Sequence, residues 1–182
     1  MRDKIMIVGC VGMGTWVSMA VQFHTRELHV IDYDIVMTTN RNRLPMRVGH
    51  KKVGELERFI TMCDYFPYDT EYSNNLLKLI NPDIVIDCTD NLSVQRQIYD
   101  DVYTQGSGCL IRAGSNRHNI TIATPPYDIW DNDGEDTSGQ CGVTVPQHLE
   151  TQLIAAGYVV WLVQHYRENF YLSLNILQEV QQ

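Results

Sequence analysis

The segment Gly9-Cys10-Val11-Gly12-Met13-Gly14 is the first feature of the chain with chemical content. Its spacing, G-x-x-G-x-G, matches the dinucleotide-binding turn G-x-G-x-x-G in part. Gly9 permits a tight turn. Gly12 and Gly14 let the backbone approach a phosphate and let the following helix sit close to the preceding strand. Such a helix presents free N–H groups and the positive end of its dipole to an anion. Asp32 follows about twenty positions later, where an acid at a strand end can hold ribose hydroxyls. A glycine turn that merely packs a helix on a strand is the alternative reading. On these residues alone the nucleotide is undefined, and NAD stands beside ATP.

The residues after Asp32 discriminate further. Asp32 and Asp34 form D-x-D, Asn40 and Arg43 form N-x-x-R, and Gly49 and Lys52 form G-x-x-K. DCTDN at 87–91 places Asp90 and Asn91 at the end of an apolar run. A nicotinamide dehydrogenase has no need of such a set, whereas a triphosphate site has. Arg43 and Lys52 can neutralise phosphate oxygens, and the Asp90 carboxylate can hold a magnesium ion. Lys51 and Lys52 are adjacent, so preferring Lys52 rests on register.

The elements that must carry these residues follow from hydrophobic patterning. KIMIVGC (4–10) and LHVIDYD (28–34) read as strands around a helix at 15–24, a parallel βαβ unit. A helix is expected over about 51–63, a strand over 66–72, and a short helix over 73–80 capped by Ser73. PDIVIDCTD (82–90) reads as a buried strand and 91–105 as a helix. CLIRAG (109–114) reads as a strand and NITIAT (119–124) as its pairing partner. The tract 125–142 is rich in proline, glycine and acids and reads as a long functional loop. A helix to about Tyr166 and a last strand at 170–177 complete one doubly wound α/β domain over residues 1–182.

The 182 residues carry a net charge of −8 and 44% apolar residues. That composition supports a packed core and argues against general binding to a nucleic-acid backbone. The apolar runs fall short of the ~18 residues that span a membrane, and the N-terminal run reads as a buried strand rather than a signal peptide. Five scattered cysteines without a CxxC pair suit a reducing cytosol and predict no structural zinc. The acids Asp131, Asp133, Glu135 and Asp136 read as a solvated loop, because Ile129 occupies the first position of a calcium-loop pattern.

In order and spacing, GCVGMG, DYDIVMTTNRNR, GHKK and DCTDN resemble the motifs of the ThiF/MoeB family, adenylating domains related to ubiquitin-activating enzymes. The match spans roughly residues 4–165, and the compact form looks most like the short ThiF proteins of plasmids and phages. Val11 stands where the family pattern has a second glycine, and Arg41 where a leucine is usual. The resemblance implies a Rossmann-like, mostly parallel sheet with an antiparallel C-terminal extension. It implies ATP- and Mg2+-dependent adenylation of a C-terminal carboxylate on a ubiquitin-like or sulfur-carrier protein or peptide, by a cytoplasmic homodimer.

Carried over by position, Gly9, Gly12 and Gly14 would line the phosphates, and Asp32, Asp34 and Asn40 would bind nucleotide. Arg43 and Lys52 would stabilise charge as pyrophosphate leaves, and Asp90 would position the metal with Asn91 beside it. Relatives often carry, at the position of Cys141, a cysteine that takes the activated carrier. A thiol before a helix N-terminus in an accessible loop has its thiolate favoured. Two alternatives remain: an NAD-binding Rossmann enzyme or sensor, and a non-catalytic scaffold of the same fold.

Overall fold

The computed structural model describes residues 2–10, 12–40, 45–104, 106, 108–116, 119–126 and 149–175. Val11, Arg41, Arg43 and Cys141 lie outside them.

Seven strands form one sheet in the order β3-β2-β1-β4-β5-β6-β7. They are β1 (Arg2–Val8), β2 (Thr25–Ile31), β3 (Asp64–Tyr68), β4 (Ile84–Asp87), β5 (Cys109–Asn116), β6 (Asn119–Ala123) and β7 (Tyr171–Asn175). The first five pair in parallel, while β6 and β7 run antiparallel, as expected of a mostly parallel sheet with an antiparallel extension. The helices are α1 (Met13–Val21), α2 (Lys52–Leu56), α3 (Asn74–Ile80), α4 (Leu92–Tyr99) and α5 (Leu149–Gln164). Among the described residues no helix is long and apolar enough to cross a membrane.

Alternation along the central strands builds a core on each face of the sheet. Ile5, Ile7, Leu28, Val30, Ile84, Ile86 and Ile111 point toward α1 and α5, whose Val17, Val21, Ala155, Val159 and Leu162 meet them. Met6, Val8, Val85 and Leu110 point to the other side, where Leu77 of α3 and Ile98 of α4 cover them. Apolar residues of both parities are what a strand buried on two faces requires. That is why the strands read as continuous apolar runs in the sequence.

Several boundaries differ from expectation. The helix expected over 51–63 is only α2, Lys52–Leu56, because the Glu55 carboxylate turns back to meet Arg47 and Arg58 and the chain continues as turns. The helix expected over 91–105 leaves α-geometry after Tyr99 and widens into a π turn, Asp100–Thr104. There the buried Asp101 accepts hydrogen bonds from Tyr72 and Asn74. β2 ends at Ile31, before the acids, and β3 starts two residues earlier than expected, with Pro67 tolerated on the sheet edge. Ser73 caps α3 as its type predicts, accepting from the Leu76 N–H at 3.3 Å.

Candidate functional site

In this strand order the chain runs to one side of β1 through β2 and β3, and to the other through β4 and β5. The carboxyl ends of β1 and β4 therefore flank a topological switch point, where parallel α/β sheets leave a crevice. Among the described residues, Gly9, Gly12 and Gly14 follow β1, Asp32 and Asp34 follow β2, and Asp90 and Asn91 follow β4.

The turn after β1 is fixed by contacts that only glycine allows. Gly9 has a φ of 90°, and a Cβ there would stand 2.9 Å from the Cys88 carbonyl oxygen at the end of β4. At Gly14 a Cβ would run into the Gly9 carbonyl. Helix α1 is thus pressed against the turn. Gly12 serves as its N-cap without a side-chain cap, and its first turn holds no acid. An uncapped, acid-free helix start leaves N–H groups for an anion. Inside the turn, the Thr15 hydroxyl donates to the Cys10 carbonyl at 3.0 Å.

Asp32 does more than mark a strand end. Its Oδ2 accepts from the Cys10 N–H at 2.6 Å, and its Oδ1 accepts from the Asp34 N–H at 2.7 Å. The carboxylate thereby ties the glycine turn to the D-x-D loop. Each oxygen keeps a second lone pair, so a ribose hydroxyl can still be bound. Burial raises the Asp32 carboxyl above its ordinary range, against the pull of the Lys52 charge and the two amide donors.

The adjacent lysines separate sharply. The Lys52 side chain is 3% exposed, and its Nζ lies 2.7 Å from Asp34 Oδ2. The Lys52 N–H donates to the Asp34 carbonyl at 3.1 Å, which closes the loop between the two motifs. Lys51, half exposed, places its Nζ 2.9 Å from both the Tyr33 carbonyl oxygen and Asp69 Oδ1. The basic group at the crevice is therefore Lys52, and Lys51 is engaged elsewhere. Asn40 is buried, and its Oδ1 accepts from the Met37 N–H at 2.8 Å within a short 3-10 turn, Thr38–Asn40.

At the end of β4, Asn91 is the N-cap of α4. Its Oδ1 accepts from the N–H groups of Ser93 and Val94 at 3.0 and 3.3 Å and from the Ser93 hydroxyl at 2.7 Å. That occupation gives it a structural task beside Asp90. The Asp90 carboxylate is exposed and has no hydrogen bond or ion pair among the described residues. The carboxylates of Asp34 foremost, and of Glu71, Asp32 and Asp90, raise the pKa of the Tyr33 hydroxyl. No group of three or more His, Cys, Asp or Glu side chains converges among the described residues. A metal here would depend on Asp90, substrate phosphates and water, a pattern magnesium tolerates.

Two buried networks escaped the sequence reading. The Glu55 carboxylate, 2% exposed, receives the Arg47 N–H at 3.0 Å, Arg47 Nε at 2.8 Å and Arg58 Nη1 at 3.0 Å. These bonds, those of Arg47 foremost, lower its pKa to about 2. Glu55 thus anchors the segment that leads into Lys52. Asp87, buried at the end of β4, accepts from the Thr89 N–H at 2.9 Å and its hydroxyl at 2.7 Å. Gln95 of α4 then donates to the Thr89 carbonyl at 2.5 Å and accepts from Arg112 of β5. The only trace of this second network in the sequence is the acid that ends an apolar run. The first has only the Glu55–Arg58 spacing.

The described cysteines are poor nucleophiles. Burial pushes the Cys10 thiol up to about 12 and the Cys63 thiol to about 11, and it raises Cys88 and Cys109 as well. Cys10 and Cys88 act as small core hydrophobes.

Residues 1–118 match the family model described as the ThiF family. The chain is 28% identical over 129 residues to tRNA threonylcarbamoyladenosine dehydratase 2 of Saccharomyces cerevisiae, which covers 63% of this chain and 29% of that protein. Among solved structures, Escherichia coli MccB with MccA-N7isoASN superposes with a TM-score of 0.73 at 16% identity, over 96% of this chain and 64% of that one. E. coli MccB with ATP gives 0.71 at 18% identity, with coverage of 96% and 64%. PaaA gives 0.69 at 18%, with the same coverage. These structures share the fold. The chain spans under two thirds of their length, and under a third of the yeast protein's.

Proposed function

The chain belongs to the ThiF family, and from that premise we propose that it binds ATP at the crevice between β1 and β4 and adenylates a carboxylate. The observation that carries this reading is the chain of contacts from Lys52 through Asp34 and Asp32 to the Cys10 N–H of the glycine turn. It sets an ammonium and a helix N-terminus at one crevice, as a polyphosphate needs.

The uncapped start of α1 receives phosphate oxygens. Asp32 offers its spare lone pairs to the ribose. Lys52, joined by Arg43 from outside the described residues, faces charge that builds on the β- and γ-phosphates. Magnesium, held at the exposed Asp90, would neutralise phosphate oxygens. The substrate carboxylate attacks the α-phosphorus in line, the bond to the β-phosphate oxygen breaks, and pyrophosphate leaves. The nucleophile is already ionised, so no general base is required, and positioning with charge stabilisation supplies the rate.

The carboxylate belongs to the C-terminus of a peptide or carrier protein, a reading supported by the family and by the solved complexes of MccB with MccA. In a second step of the same proposal the Cys141 thiolate attacks the acyl carbon of the adenylate, a thioester forms, the acyl–phosphate bond breaks and AMP leaves. The yeast relative's name raises a different substrate, a threonylcarbamoyl-modified tRNA. A net charge of −8 weighs against that polyanion.

The enzyme works in the cytoplasm as a homodimer. Support for pairing comes from the apolar residues α5 leaves open: Leu149, Leu153, Ile154 and Tyr158 are 36%, 48%, 40% and 37% exposed. A monomer mass at micromolar concentration would refute it. ATP–pyrophosphate exchange with magnesium tests the chemistry, with Gly-terminated peptides and modified tRNA as separate arms. Exchange that requires a peptide and is lost in Lys52→Ala and Asp90→Ala is expected. Binding of NAD in preference to ATP refutes the reading.

A further inference from the structure

We infer that Asp34 is a positioning residue: it holds the Lys52 ammonium aimed at the crevice and surrenders it to the polyphosphate when nucleotide binds. This inference rests on the nucleotide reading above.

Three observations carry it. Lys52 is almost wholly buried, yet its charge meets a carboxylate that is 42% exposed. A buried ammonium needs a partner, because leaving it unpaired is far more unfavourable than exposing Asp34 to water. Second, Asp34 is held at three points. Its N–H is bound to Asp32, its carbonyl accepts from the Lys52 N–H, and Oδ2 meets Nζ. The side chain therefore sets the lysine's direction and does not merely decorate it. Third, Asp34 stands among acids: its carboxylate and those of Asp32, Glu71 and Asp90 all act on the Tyr33 hydroxyl. A carboxylate in that position repels phosphate oxygens, so it is ill suited to be a direct nucleotide ligand.

The two roles separate in kinetics. As a direct ligand, Asp34 would strengthen binding, and its loss would raise Kd. As a holder of Lys52, it opposes binding slightly and raises turnover, because the ammonium is preorganised where charge develops.

The test compares the wild-type chain with Asp34→Asn and Asp34→Glu. It uses calorimetric binding of a non-hydrolysable ATP analogue with magnesium, and pyrophosphate exchange with a Gly-terminated peptide. For Asp34→Asn, Kd is expected to stay level or tighten by up to about fivefold, the limit for a half-exposed ion pair. Exchange kcat is expected to fall roughly 10- to 100-fold, as for a misplaced catalytic group. Asp34→Glu retains the charge, so it should recover part of the kcat and keep the wild-type Kd. Weaker binding in Asp34→Asn, or an unchanged kcat, overturns the inference.

Asp34→Glu also serves if the asparagine variant does not fold, its partial kcat loss at constant Kd being the expected result and a matched loss in both the contrary one. A wild-type chain that binds the analogue without exchange refutes adenylation, and the Kd comparison still decides the role of Asp34. Absence of any nucleotide binding overturns both.

Discussion

Replacing Gly14 by alanine adds one methyl group where the backbone leaves no room for it. The new Cβ would lie 2.9 Å from the Gly9 carbonyl carbon, closer still to its oxygen, and 3.3 Å from the Cys88 Cβ. Ordinary carbon contacts are about 3.5–4.0 Å, so α1 must withdraw from the turn by roughly 1 Å. The atoms in the way are mostly backbone and cannot rotate aside. Overpacking of this kind costs about 1–3 kcal/mol. At ~2–4 °C per kcal/mol for a chain of this size, the melting temperature should fall by about 2–12 °C. The same shift displaces the helix N-terminus from the phosphates, and an error of about 1 Å costs on the order of 100-fold in rate.

Gly157 of α5 supplies the control. A Cβ there meets nothing within 4 Å among the described residues, so at concentrations where the chain is monomeric Gly157→Ala should stabilise by about 0.5–1 kcal/mol through helix propensity. Differential scanning calorimetry and pyrophosphate exchange on both variants decide the matter. A Gly14→Ala chain that melts and turns over like wild type would refute the placement of α1 against the turn. So would two glycine variants that shift in the same direction.

The two lysines provide a second contrast: Lys52→Ala should lower exchange by about 10²–10³-fold, while Lys51→Ala, outside the crevice, should stay within about fivefold. Equal losses would show that the register is wrong. Glu55 gives a pH signature. Its folded pKa of about 2 lies below its ordinary 4.5, so its contribution is present above pH ~4.5 and is lost as pH falls toward 2.

Denaturant titrations should therefore show Glu55→Gln destabilised at pH 7, with the difference shrinking toward pH 3. A gap independent of pH would remove the ionic origin. Asp32 and Asp87, whose pKa values burial raises, act in the opposite sense and cancel between the two chains. In thiol labelling of the native chain at pH 8, Cys141 should react first and Cys10 and Cys88 only on unfolding. Rapid labelling surviving in Cys141→Ser would contradict this.

The order of strands and helices was legible because each depends on local pattern. Continuous apolar runs mark strands covered on two faces, glycines mark turns, and Ser73 marks a helix start through its own hydroxyl. The position of the acid and glycine motifs at strand ends followed from the same pattern, and so did the crevice they share. Boundaries failed where a side chain was claimed from elsewhere. Glu55 shortens α2 because Arg47 and Arg58 reach it, and Asp101 sits in the widened turn after α4, where Tyr72 and Asn74 reach it.

The same physics separates the lysines. Sequence offers two identical ammonium groups in succession. Only the backbone bond from Lys52 to Asp34, made when the loop after β2 folds over the start of α2, turns one inward and leaves its neighbour to Asp69. Residue type and spacing determine which chemistry is available. Which charge is buried, and against which partner, is decided by contacts between residues far apart in sequence, and those exist only once the sheet has assembled.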